Sequence, residues 1–226
     1  MPQTVHPDHK QIVTADVVLL TVVEGRLAVG LLTRENEPFA GRGALIGGYV
    51  HADKDRDTDA TAARVLRDKT GLEGFFIEQL ATFSGPKRDP RGWSISVAYL
   101  ALTPLQRLTN VLGEASRVSL VPVDQARDLP FDHGEILAAA VGRLRSKGAY
   151  STLPARLLPE VFTLTELQAT YQIALGVPRI DKSSFRRKLN ELALIEPVEG
   201  LRAETGGRQA QLYRLRQEIS VFERRL

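Results

Sequence analysis

Residues 47–72 run GGYVHADKDRDTDATAARVLRDKTGL, and the chain changes character twice inside them. The two glycines sit in a short apolar strand, ALIGGYV at 44–50. A charged stretch, HADKDRDTD, then gives way to an alanine-rich helix in which Ala62, Ala63, Val65 and Leu66 mark one face. Asp57 and Asp59 stand where carboxylates cap the first amides and meet the positive end of the helix dipole. Gly71 supplies the left-handed residue that ends the helix.

Working upstream, ADVVLLTVV (15–23) and RLAVGLL (26–32) read as a hairpin turned by Glu24-Gly25, and the polar loop TRENEPFAGRG follows it. Downstream, strands are expected at about Phe75–Phe83, Trp93–Ala101 and Arg117–Val123. A helix is expected at about His133–Lys147, burying Ile136, Leu137, Ala140, Val141 and Leu144. Strands and helices mixed in this way predict an α+β domain over 1–150. Its first residues, 1–11, read as a loose polar arm in which no carboxylates converge on His6 and His9.

The full chain, 226 residues and 24.9 kDa, exceeds one core of ~100–150 residues and falls short of three. Without a single cysteine it has no disulfide, no thiolate nucleophile and no thiolate zinc site. No run approaches the ~18 apolar residues of a membrane span, which predicts a cytoplasmic protein with no membrane partner. Charge is unevenly placed. Residues 1–150 balance 18 basic against 18 acidic side chains, while 179–216 hold 9 basic against 5 acidic. A short basic C-terminal part hints at nucleic acid.

STLPARLLPE (151–160) makes residues 151–161 a linker, stiffened by Pro154 and Pro159 and with some apolar anchoring. A second domain is expected over 162–226. Thr163 and Glu166 form a capping box, and Phe162 with Leu167 makes the hydrophobic staple. That helix stops at Gly176, before Pro178. The next, DKSSFRRKLNELA from 181, sets Phe185, Leu189 and Leu192 on one face. LIEPVE, a glycine-rich tip and AQLYRL then form a two-stranded ribbon. Helix, turn, helix, ribbon is the winged helix-turn-helix order. Candidate DNA contacts are Thr163, Ser183, Ser184, Arg186, Arg187 and Lys188, with Arg208 at the wing tip beside Gly206 and Gly207. Guanidinium groups there read guanine edges or grip phosphates, and the helix N-terminus offers free amides to a phosphate. Glu191, Glu196 and Glu199 are expected off the contact face. A docking or scaffold module of the same shape is the alternative.

The 47–72 stretch resembles the Nudix box, a glycine, a spaced glutamate and then Arg-Glu-hydrophobic-x-Glu-Glu-x-Gly-hydrophobic, whose carboxylates gather Mg²⁺ against a pyrophosphate. Gly48, Arg64, Leu66, Gly71 and Leu72 fit it. The acidic positions depart. Lys54 falls at or near the first glutamate, Val65 follows the arginine, and Asp68-Lys69 replaces the glutamate pair. No metal site is assigned, and a lysine there repels the ion or pairs with the surviving carboxylate.

A degraded Nudix-like α/β/α sandwich with a mixed sheet, followed by a winged helix, resembles the Nudix-related transcriptional regulators of the NrtR kind. Further support comes from RDPRGWSISVAYLAL (88–102), LLPEVFTLTELQATYQIALG (157–176), DKSSFRRKLNEL (181–192) and LYRL (212–215). Ile46 and Gln209 stand where that family usually has proline. The resemblance implies a homodimeric repressor of NAD biosynthesis or salvage genes that is not an enzyme and binds a palindromic operator. It also implies ADP-ribose or a related nucleotide as effector rather than a cofactor. Gly47 and Gly48 would line its pocket, and Arg88 and Arg91 would hold its phosphates. Trp93 either stacks on the adenine or belongs to the core. Arg64 either faces the ligand or braces the glycine loop. A sugar-responsive regulator of the same build and an active Nudix hydrolase with an accessory domain are the rival readings.

Overall fold

A computed structural model describes residues 11–113, 116–205, 208–217, 219 and 221. The arm with His6 and His9 lies outside those residues, as do Gly206 and Gly207.

The central strand is β1 (Ile12–Val23), whose residues 15–21 are all buried. A run so buried, apolar except for Asp16 and Thr21, is what a strand covered on both faces requires. Alternate side chains divide it. Ala15, Val17 and Leu19 pack with α1 (Thr58–Thr70), through Ala62, Val65 and Leu66. Val18 and Leu20 pack with α3 (His133–Gly148), through Ile136, Ala140 and Leu144. The result is a helix on each face of a mixed sheet.

Strand β1 pairs antiparallel with β2 (Arg26–Thr33) over its second half and with β4 (Ile46–Tyr49) over its first. Its other edge runs parallel to β6 (Ser94–Leu102), which pairs antiparallel with β5 (Phe76–Gly85). Two short strands, β3 (Gly43–Ala44) and β7 (Val118–Pro122), complete the seven by pairing with β2. Because β2 and β4 share one edge of β1, the sheet forks there, at Asp16 and Gly47. A helix not foreseen in the sequence, α2 (Leu105–Val111), follows β6 and buries only Leu108.

Residues 151–161 are more than a tether. Leu153–Leu157 form a 3-10 turn in which Leu153 and Leu157 enter the first core and Ala155 enters that of the C-terminal half. That half comprises β8 (Phe162–Thr163), α4 (Leu164–Leu175), α5 (Lys182–Glu191), β9 (Ile195–Thr205) and β10 (Arg208–Leu215), with strand order β8-β10-β9. Its core gathers Phe162, Leu167, Tyr171, Phe185 and Leu189, with Tyr171 edge-on to Phe185 at 5.2 Å. Beyond β10 the chain returns, with Ile219 against the first core and Val221 bridged to Ser151.

Two expectations need correction. Leu192 is 42% exposed, because α5 ends at Glu191 and Leu194 takes the core position instead. Thr163 is only 4% exposed. Its hydroxyl accepts from the Glu166 amide at 3.2 Å and donates to the Glu166 carboxylate at 2.8 Å, which in turn accepts from the Thr163 amide at 2.7 Å. A hydroxyl so engaged, in a strand paired to β10, is a cap and not a DNA contact. Thr163→Ala is therefore expected to cost about 1 kcal/mol of stability and to leave operator affinity unchanged. Denaturant melts and duplex titrations of the variant check both halves of that statement.

Candidate functional site

The fork in the sheet opens into a cleft of about 540 Å³. Its floor needs both glycines. A Cβ on Gly47 would overlap the Asp16 carboxylate, and one on Gly48 would come within 2.8 Å of Val65. Asp16 itself is held by Ser96, which donates to it, and lies 3.7 Å from Arg88.

The box helix presents Arg64, Val65, Asp68 and Lys69 to the cleft. Arg64 is a brace. Its Nε and Nη2 donate to Asp55 at 2.6 and 2.7 Å, and Nη2 also reaches the Tyr49 carbonyl at 3.0 Å. Asp55 accepts besides from the His51 amide and the Thr61 hydroxyl. The Arg64 bonds, above all, hold the Asp55 carboxyl well below the usual carboxylate range. Asp57 caps α1 by accepting from the Ala60 amide at 2.7 Å, and Gly71 ends it at φ 74°. Asp59 accepts instead from the Tyr99 hydroxyl at 2.6 Å. Asp68 pairs with Arg67, at 3.4 Å, and lies 3.9 Å from Arg64, and among the described residues it forms no ion pair with Lys69. Lys54 is exposed on the loop.

Arg88 and Arg91 both line the cleft, yet each is spoken for. Arg88 is bidentate to Asp132 at 2.8 and 2.9 Å and donates to Ser94 at 3.1 Å, with its side chain only 8% exposed. Arg91 is bidentate to Asp89, touches the Tyr49 hydroxyl and lies over the Tyr49 and Phe131 rings. Burial pushes the Asp89 carboxyl up, but the Arg91 bonds outweigh it and leave it low. Trp93 corrects one of its two earlier readings: it is 45% exposed one residue before β6, so it is not core, and it stands outside the residues that line the cleft itself.

Several groups in the cleft were not singled out from the sequence. His133 Nδ1 accepts from the Leu45 amide at 3.0 Å, which fixes the proton on Nε2, 3.8 Å from Asp16. Burial pushes this imidazole below its ordinary value against the pull of Asp16 and Asp132. The folded state thus keeps it neutral where the unfolded chain takes up a proton. Stability falls as pH drops below about 6.5. Urea midpoints at pH 7.5 and 5.5 check this, and His133→Gln is expected to flatten the difference. Arg34 is the other omission. Its Nε and Nη2 donate to the carbonyls of Pro38 and Asn36 at 2.8 and 3.2 Å, and the guanidinium lies 4.8 Å from the Phe131 centroid. An aspartate inside an apolar run, as at Asp16, was the signal in the sequence. Arg34 sat in a loop with none.

In the C-terminal half, Phe185 and Leu189 turn inward, which leaves Ser183, Ser184, Arg186 and Arg187 exposed and Lys188 half-buried. Two details alter the expected picture. Asp181 caps α5 by accepting from the Ser184 amide at 2.8 Å, so a carboxylate already occupies the helix N-terminus. Glu191 lies 3.7 Å from Arg187, on the same side of α5 as that candidate contact. Arg208 opens β10 opposite Thr205, and its side chain lies outside the described residues. Gln168 and Gln172 fasten the inter-helix turn through the carbonyls of Ile180 and Pro178.

The two regions are joined by α3. Its first turn walls the cleft at His133, while at its other end Arg145 lies against the α4 stop, 3.1 Å from where a Gly176 Cβ would stand. Gly148 meets Pro154 and Leu175 in the same way.

Residues 154–215 match the NrtR DNA-binding winged helix domain. Over 205 residues the chain is 38% identical to the ADPR responsive transcriptional repressor NtrR of Acinetobacter baylyi, a match that covers 90% of this chain and 81% of that protein. The chain belongs to the NrtR family. Among solved structures, NrtR of Shewanella oneidensis complexed with a 27mer DNA superposes with TM-score 0.87 at 36% identity, covering 96% of this chain and 100% of that one. The NUDIX domain of the same NrtR complexed with ADP ribose matches with TM-score 0.55 at 33% identity, over 64% of this chain and 99% of that one. The α+β architecture, a Nudix-like sandwich followed by a winged helix, is thus the NrtR architecture. Among the described residues no helix is long and apolar enough to cross a membrane.

Proposed function

We propose that this protein is a repressor in the cytoplasm that binds a palindromic operator of NAD biosynthesis or salvage genes and is released by ADP-ribose held, uncleaved, in the cleft. Residues 1–150 sense the effector, 151–161 join the halves, and 162–226 bind DNA. Two copies related by a two-fold axis match the two halves of a palindrome. What carries the reading is one conjunction in a chain alike over 90% of its length to a repressor named for its response to ADPR: a glycine-floored cleft and an exposed cationic edge on α5.

The geometry supplies a route between them. Helix α3, 16 residues and about 24 Å long, touches the cleft at one end and the helix-turn-helix at the other. A diphosphate in the cleft, beside His133 and the Arg88–Asp132 pair, shifts the first turn of that helix, and the shift is felt at Arg145 and Gly176. An effect of about 5–150-fold on operator affinity is the ordinary range for such coupling. The test is selection of duplexes from a random pool by the full-length protein, followed by titration of the selected palindrome with and without ADP-ribose. Weakened binding supports the reading. No selected sequence, or an ADP-ribose-indifferent titration, counts against it.

A further inference from the structure

A Nudix box implies a divalent cation, and the residues of this cleft do not fit one. Both Asp55 oxygens are taken up by Arg64, Thr61 and the His51 amide. Val65 offers methyl groups packed beneath Gly48, and Asp68 faces Arg67 and Arg64. Among the described residues no three His, Cys, Asp or Glu side chains gather as a metal would need.

The cationic groups around the cleft divide into two sets. Arg64, Arg88 and Arg91 are matched by Asp55, Asp132 and Asp89. Arg34 and Lys69 make no ion pair among the described residues, and both line the cleft and the smaller pocket beside it, with Gly47. Neighbouring Glu35 pairs with Arg117 instead. Two carbonyls and the Phe131 ring hold the Arg34 guanidinium in place and leave Nη1 without a hydrogen bond among the described residues. Burial and the charge of Arg91 push the Arg34 guanidinium down, against the pull of Asp89 and Asp16, neither of which lies in ion-pair contact with it. Lys69 stands where the box has a metal-binding glutamate.

We infer that this cleft binds a diphosphate without any divalent cation, its charge met directly by Arg34 and Lys69. The inference rests on the reading of the cleft as an effector site and goes further, since it names the groups that replace the ion. An ammonium in the box position supplies the positive charge a metal would otherwise bring, and a guanidinium offers paired donors to phosphate oxygens. Binding then carries no requirement for Mg²⁺, and no metal-activated water lies beside the bound pyrophosphate.

Calorimetry on the full-length protein tests this with two probes, ADP-ribose and inorganic pyrophosphate, each in EDTA and in Mg²⁺. Both are expected to bind in EDTA, with ADP-ribose affinity within about twofold of its Mg²⁺ value. Arg34→Gln and Lys69→Gln are each expected to weaken ADP-ribose binding in EDTA by about tenfold or more, with thermal melts showing that the variants fold. Binding of either probe only with Mg²⁺, or both variants binding as the unaltered protein does, overturns the inference. Pyrophosphate bound in EDTA with ADP-ribose unbound would sink the choice of effector and leave the metal-free site standing. Failure of both probes under both conditions removes the two together.

Discussion

Arg187→Ala combined with Lys188→Ala is expected to lower operator affinity by about a hundredfold or more, since a good base contact is worth about 1–3 kcal/mol. Phosphate contacts at both positions would also make the log–log salt slope shallower by about 2. Arg187 is exposed and Lys188 half-buried, and neither belongs to the core that Phe185 and Leu189 enter, so the double variant keeps its core. The exposed Arg187–Glu191 pair, at 3.7 Å, holds Arg187 only weakly and does not remove it from DNA. Loss confined to one operator sequence would mark base contacts, and uniform loss across sequences would mark phosphates. Unchanged affinity would show that α5 is not the recognition helix.

ADP-ribose incubated with this protein and Mg²⁺ is expected to stay intact, with no AMP or ribose 5-phosphate released at the rate of about 1 s⁻¹ or more that ordinary enzymes reach. Metal-assisted hydrolysis needs carboxylates that gather the ion and let it activate water. Here Val65 and Lys69 replace two of them, Asp55 is bound to Arg64, and Lys54 lies exposed on the loop. Asp53, Asp57 and Asp59 precede or open α1, where Asp57 serves as cap and Asp59 accepts from Tyr99. Turnover at an enzymatic rate would force these loop aspartates into metal roles and end the non-enzymatic account.

What the sequence discloses follows from how local each feature is. The apolar strands β1 and β2 announced themselves as a hairpin, α1 and α4 carried their caps within a few residues, and α3 carried its buried face in its spacing. Loss of the box carboxylates was equally local. The cleft itself was harder, because its contacts join residues far apart in the chain. Arg88 finds Asp132 and His133 finds Leu45 only once the sheet has formed, whereas the partner of Arg91 is Asp89, two residues away. Arg34 had the opposite history, a loop residue that the fold carries to the cleft wall without giving it a carboxylate. Thr163 shows a third case: the capping box was legible, and the burial that keeps its hydroxyl from DNA depended on β10, some fifty residues away. Leu192 fitted a helical spacing that the helix did not live to complete.

On the proposed function, ligand in the cleft and DNA on α5 oppose each other through one molecule. Linkage makes that opposition reciprocal: if ADP-ribose weakens operator binding by some factor, operator must weaken ADP-ribose binding by the same factor. Calorimetric titration of ADP-ribose into the free protein and into its operator complex measures this directly. Weaker binding to the complex is expected, by a factor equal to the loss of operator affinity seen with saturating ADP-ribose. Equal ADP-ribose affinity in the two titrations would contradict it.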